Sequence, residues 1–281
     1  MMCCNFQTTT HGKWILAGEH AVLRGHPALV YPIPDKTLTL HYQTSTAKIT
    51  LDCSGEQGDV IPPLFWSVFE HGLRLLNTPQ DTILGQVQVQ SNIPIGVGLG
   101  ASAALCVAIS RWFASLNLLS HEQIQPFAQE LEYLFHGQSS GVDVVGAAAI
   151  GGVYFQQGVT SAILQAWSPD WRLSNCGDVG MTAPCVQAVQ ALWQTNAAHA
   201  EAIDHQMRDS VCCARAALED KSPSSREKLA AAIHSAADCF QQWGLVTPRL
   251  QHHMQTLRDN GALAVKPTGS GGGGYVMSLW P

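Results

Sequence analysis

Charge is scarce in this chain: Asp, Glu, Lys and Arg make up 13% of its 281 residues, with a net charge of −6. That balance leaves no broad basic face for nucleic acid or an anionic lipid surface, so neither is an expected partner. Long apolar runs are lacking as well. The longest, Val144–Phe155, has twelve residues with a Gly-Gly inside it, too short to span a bilayer. The first residues, MMCCNFQTTTHGKW, hold no basic segment followed by an apolar core, so no secretory signal is expected. The nine cysteines show no C-x-x-C spacing. Their odd number points to reduced thiols in a cytoplasmic protein, not to a disulfide framework or a zinc site. The nearest zincin-like stretch, HEQIQ at 121–125, lacks the second histidine.

What is present is core. Hydrophobic residues reach 46%, which implies a sizeable core, and 281 residues are enough for two packed domains or one large one. Strand signals dominate the first half, at Lys13–Leu16, Ala28–Ile33, Thr37–Gln43, Ala47–Asp52 and Gly85–Gln90, the last in strict polar–apolar alternation. Helices are expected over Pro62–Leu76, Ser102–Leu118 and His121–Phe135. The second half reads as helices at Val186–Trp193, Ala198–Leu218, Arg226–Trp243 and Thr247–Asn260, then strands at Ala262–Val265 and Tyr275–Leu279. The polar and aromatic passage WSPDWRLSNCGD between the halves reads as a domain connection. The expected division is therefore an N-terminal domain over 1–168 and a C-terminal one over 169–281. Antiparallel strands with helices on one side, in both halves, argue for an α+β protein and against a doubly wound parallel sheet.

The stretch IPIGVGLGASAALCV, Ile93–Val107, alternates Gly96, Gly98 and Gly100 and then opens a helix. A helix N-terminus presents N–H groups without intrahelical partners and carries partial positive charge. Glycines ahead of it let the backbone turn several N–H groups inward, the makings of a phosphate cradle. No lysine follows the last glycine, so this is not a Walker loop, and it is not the dinucleotide fingerprint either. A tight strand-to-helix turn is the plainer alternative. A second run, KPTGSGGGGY at 266–275, contains G-x-G-x-x-G, but seven residues after Gly274 leave no room for a receiving helix. A strand after it would tie down a close-approach loop with Thr268 and Ser270 as hydroxyl donors.

Charge in apolar surroundings is concentrated in two places: Lys13, Glu19 and His20 in KWILAGEHAV, and Glu132, His136 and Asp143 in LEYLFHGQSSGVDVVGAAAIGG. Asp143 is either the first-turn acid of a short helix or a positioned base. A lone His20 or His136 is more often a satisfied core histidine.

Taken together, KWILAGEHAVLRGHPAL, IPIGVGLGASAA, EYLFHGQSSGVD and KPTGSGGGG, in that order, resemble the motifs of the GHMP kinase superfamily and its mevalonate-phosphorylating branch. The resemblance spans residues 13–274. It implies a ribosomal-protein-S5-like N-terminal domain, a ferredoxin-like C-terminal domain, and transfer of a phosphoryl group from ATP to the primary hydroxyl of mevalonate. Asp143 would be the general base, with Lys13 beside it holding it ionised and neutralising the transferred group. Ser102 and Glu132 would bind Mg²⁺. ATP would be held by Pro94, Gly96, Gly98, Leu99, Gly100, Ala101, Ser102, Ala103 and Ala104, with Gly269, Ser270 and Gly271 closing over from the second domain. Glu19, His20 and Cys185 would hold the acceptor. The resemblance leaves a homodimer open.

Three positions depart from the pattern: Ala101 stands where serine is usual, Ser139 where proline is usual, and Cys185 where a threonine lies near the acceptor, with Thr182 a candidate substitute. Ala21-Val22 after Glu-His differ from the Thr-Asp of galactokinase-like members. Another small hydroxy acid or a sugar remains the alternative acceptor. A nucleotide-binding regulator without catalysis would be expected to have lost Asp143, Lys13 or a metal ligand; all are present.

Overall fold

The computed structural model describes residues 5–56, 58–136 and 139–281. Its elements run β1 (Asn5–Ala17), β2 (Ala28–Lys48), β3 (Thr50–Ser54), α1 (Ile61–Leu75), β4 (Leu84–Ser91), α2 (Ala101–Ser115), α3 (Ile124–His136), α4 (Val142–Ala148), β5 (Val153–Gln156) and β6 (Val159–Ala162). They continue with β7 (Asp170–Asn175), α5 (Thr182–Thr195), α6 (Ala197–Glu219), α7 (Ser225–Gln242), α8 (Pro248–Asp259), β8 (Ala264–Pro267) and β9 (Tyr275–Trp280). The α+β expectation holds. Two compact units are built from interleaved segments: the first from the described part of Met1–Lys13 with Pro32–Ile95 and Gly100–Ile150, the second from Trp14–Tyr31, Gly96–Leu99 and Gly151–Pro281.

In the first unit β4 runs antiparallel to β2, Leu38 opposite Ser91 through Thr44 opposite Gly85, and parallel to β3 on its other side. The alternation in LGQVQVQS places Val87, Val89 and Ser91 inside and Gln86, Gln88 and Gln90 outside, as a sheet with one covered face requires. α2 is buried on nearly every side, from Ala103 to Ser110 and again at Trp112 and Phe113. Its small residues admit close neighbours, while Trp112 stacks on Phe69 at 5.4 Å and tilts against Tyr42 at 5.0 Å. Thr10 Oγ1 hydrogen-bonds to Ala104 O at 3.0 Å, fixing β1 against the first turn of α2.

In the second unit the sheet order is β7-β9-β8, all antiparallel, with Asp170 opposite Trp280 and Ala264 opposite Leu279. α7 and α8 cover it through a core of Leu250, Met254, Val265 and Val276. Here the sequence expectation needs correction, because Asp170–Asn175 is an edge strand inside this sheet and not a connection. Its outward face is solvated, so alternate residues are polar and the stretch reads as a loop. Trp14, Tyr31 and Trp171 pack ring to ring at 4.9–5.2 Å. Among the described residues no helix is long and apolar enough to cross a membrane.

Candidate active site

Each unit carries part of the chemistry expected from the sequence. In the first unit Asp143 lies in the first turn of α4, after Gly141 at φ 85°. It is a first-turn acid of a short helix, and it faces a buried cation. Lys13 Nζ approaches Asp143 Oδ1 at 2.7 Å, at angles outside hydrogen-bond geometry, so the contact is an ion pair. The Lys13 side chain is 4% exposed and that of Asp143 29%. The lysine stem runs beside Gly100, where a Cβ would fall 2.7 Å from Lys13 Cγ. Gly100, at φ 78°, is also the N-cap of α2, so the helix start and the lysine are packed as one arrangement.

Glu132, on α3, is 1% exposed. Its Oε2 accepts a 2.5 Å hydrogen bond from Ser139 Oγ, and its Oε1 is buried with no hydrogen-bond partner. Burial, and then the negative charge of Asp143, push its carboxyl up to about 7, against the pull of Ser139 and Lys13. Ser139 also accepts from the Gly141 N–H at 3.1 Å. The departure from proline therefore supplies a hydroxyl that spans Glu132 and the N-cap of α4. Ser102 sits half-buried in the first turn of α2 and makes no side-chain hydrogen bond among the described residues. Glu132 thus offers an orphaned carboxylate oxygen and Ser102 an unused hydroxyl, both oxygen donors of the kind a hard divalent cation prefers. No three His, Cys, Asp or Glu converge as a metal cage among the described residues. The His136 side chain, Gly137 and Gln138 lie outside the described residues, as do Cys3 and Cys4.

Ala103 and Ala104 are fully buried in α2, and the Ala104 N–H already donates to Gly100 O. Pro94 is half-buried and Ala101 opens the helix.

In the second unit, Gly96 and Gly98 are exposed with φ 79° and 84°, and nothing lies within 4 Å of where their Cβ atoms would be. Leu99 beside them is buried. The C-terminal glycine run comes up to this turn. A Cβ at Gly269 would lie 3.7 Å from Gly98 O, and one at Gly274 would lie 3.3 Å from Val97 O. Glu19 and His20 form a buried turn after β1, His20 at φ 58°. His20 Nε2 meets Ser270 O at 2.8 Å, and its ring packs edge-on to Trp243 at 5.1 Å. Cys185, buried near the start of α5, donates its thiol to Gly271 O at 3.4 Å; burial pushes that thiol up. Lys266, fully buried on β8, pairs with Glu19 at 2.5 Å. No local pattern in the sequence marks this lysine, which opens the KPTGSGGGGY stretch.

Burial is the main cause that lowers His20 to about 4, opposed by its hydrogen bond to Ser270. The unfolded histidine takes a proton near 6.5 and the folded one does not until about 4, so stability is full above 6.5 and falls as the pH drops between those values. The loss is on the order of 3 kcal/mol. Denaturant melts of wild type and His20→Asn should therefore show a stability difference that shrinks from pH 7 to pH 4.5. A difference constant with pH would contradict the buried neutral imidazole.

The fold is that of the GHMP kinases. Residues 64–152 match the family described as "GHMP kinases N terminal domain". The mevalonate kinase of Thermococcus gammatolerans is 32% identical, with 96% of this chain and 87% of that one covered. The Pyrococcus abyssi mevalonate kinase is 27% identical over the same shares. The crystal structure of L. major mevalonate kinase in complex with R-mevalonate has a TM-score of 0.81 at 23% identity, covering 99% of this chain and 87% of that one. The chain belongs to the mevalonate kinase family.

Proposed function

We propose that the protein transfers the γ-phosphoryl group of ATP to the primary hydroxyl of mevalonate, giving 5-phosphomevalonate and ADP. The observation that carries this reading is the Lys13–Asp143 ion pair at the start of α4, with the Lys13 stem against Gly100. Asp143 takes the hydroxyl proton as the oxygen attacks phosphorus and the β–γ bridging P–O bond breaks. Lys13 neutralises charge on the phosphoryl oxygens, the main demand of such a transition state. Backbone N–H groups around Gly96, Gly98 and Gly100, with the loop at Gly269, Ser270 and Gly271, bind the ATP phosphates. Ser102 and Glu132 are the residues that would hold Mg²⁺, and the orphaned Glu132 Oε1 supports that fit; bound there, the ion would supply positive charge against the phosphates.

Glu19, His20 and Cys185 form the acceptor side in this reading. The described cysteines are all free, which supports a reducing, cytoplasmic setting; a homodimer and the absence of nucleic-acid or membrane partners belong to the same proposal. The test is ADP release in a coupled assay over a panel of alcohols containing mevalonate, homoserine, galactose and glycerol. Mevalonate should exceed every other acceptor in kcat/KM by at least about 10², the discrimination expected when buried polar groups must be matched. Preference for another alcohol would move the acceptor assignment while leaving the phosphoryl-transfer reading in place.

A further inference from the structure

Lys266 is the one fully buried cation on β8, a strand whose four residues are all inside. Its ammonium has three neighbours. It donates to Glu19 Oε1 at 2.5 Å and to Ile15 O at 3.3 Å, and lies 5.2 Å from the centroid of the Phe240 ring. Burial pulls its pKa down and Glu19 opposes that pull. Two residues further on, Thr268 Oγ1 accepts from Ile15 N–H at 2.9 Å and donates to Ile15 O at 3.0 Å. Ser270 O then takes the His20 ring nitrogen. One short segment, 266–270, thus grips the 15–20 turn at three levels.

A buried ion pair is a poor way to stabilise a fold, because apolar residues of similar volume are commonly as stable or more so. What an apolar pair cannot do is keep a carboxylate charged in a dry site. We infer that Lys266 is a positioning residue for the acceptor: it holds Glu19 as an oriented carboxylate, ready to accept a hydrogen bond from an acceptor hydroxyl. This rests on the reading of Glu19 and His20 as acceptor residues.

Among the described residues Lys266 is a cation paired with Glu19. From α7 comes Cys239, whose thiol burial pushes up to about 12, with Asp238 beside it on the chain. On its own turn is His20, lowered to about 4, with Arg24 and Asp204 acting on that imidazole. At neutral pH neither Cys239 nor His20 carries charge.

Steady-state kinetics of the intact enzyme from pH 6 to 9 test the inference. Glu19→Gln should raise the KM for mevalonate by about 10- to 100-fold, the worth of one charge-assisted hydrogen bond, leaving the KM for ATP within about twofold. An unchanged mevalonate KM here would remove the acceptor reading itself. Lys266→Met should give a comparable rise at pH 7 that recovers toward pH 9, because the uncompensated acid ionises only there. In Lys266→Met with Glu19→Gln that recovery should vanish. A mevalonate KM in Lys266→Met equal to wild type, or raised equally at every pH, would overturn the positioning role while the acceptor reading stood. If Lys266→Met does not fold, carboxyl ¹³C NMR of the wild-type protein decides, with Glu19→Gln giving the assignment. The Glu19 carbon should not titrate between pH 5 and 9, and a midpoint in that range overturns the inference.

Discussion

Asp143→Asn should slow turnover by about 10²–10⁴, the usual contribution of a positioned general base, which corresponds to roughly 3–5 kcal/mol of barrier. The amide keeps the size and first-turn position of the carboxylate but cannot accept the hydroxyl proton. ATP affinity should change little, since the glycines expected to bind its phosphates lie elsewhere on the chain. The variant also leaves Lys13, 4% exposed, facing a neutral group. Loss of a charge-assisted contact of that kind is worth about 1–3 kcal/mol, and water reaching the 29% exposed Asp143 side chain places this case at the low end. Stability and turnover therefore separate. A folded Asp143→Asn protein that binds ATP and turns over at the wild-type rate would end the general-base assignment. A protein that fails to fold would return Asp143 to a purely structural role at the start of α4.

How much of this could be read from the sequence depended on how local the signal was. The β4 alternation and the small-residue opening of α2 are local, and both elements lie within a few residues of expectation. Gly96, Gly98 and Gly100 all adopt positive φ, so their alternation signalled backbone conformation directly. β7 was missed because an edge strand with a solvated face carries too little apolar pattern. The hairpin of β5 and β6 was missed although its turn was visible: Gln157 and Gly158, at φ 49° and 81°, join the strands in a two-residue loop.

The candidate site divides in the same way. Lys13, Glu132 and Asp143 are candidates named through motif order, yet the ion pair joins residues 130 positions apart and no spacing rule reaches that far. Ser139 was noted only as a departure from proline. Its role became visible once Glu132 was placed 2.5 Å away. Lys266 was the hardest case. A lone charge in AVKP reads as a solvated strand residue, and its partner lies 247 positions earlier.

Lys13→Met should cost turnover at least about 10²–10³, the range for removing one preorganised group that meets charge developing in the transition state. The methionine keeps an unbranched apolar stem, so the packing against Gly100, where a Cβ would stand 2.7 Å from Lys13 Cγ, is largely retained. Asp143 then loses its cation but keeps partial access to water, so folding should survive with a small shift in Tm. Mevalonate and ATP affinities should stay near wild type, because the lysine charge is needed most when the phosphoryl group is in transit. The informative comparison is the double variant. Lys13 and Asp143 form one ion pair, and residues that act as a unit lose their effect together. Lys13→Met combined with Asp143→Asn should be about as slow as the slower single variant, well short of the product of the two losses. A fully multiplicative loss would show that the two residues act independently, and a Lys13→Met enzyme whose activity falls only as far as its folded fraction would make the lysine structural.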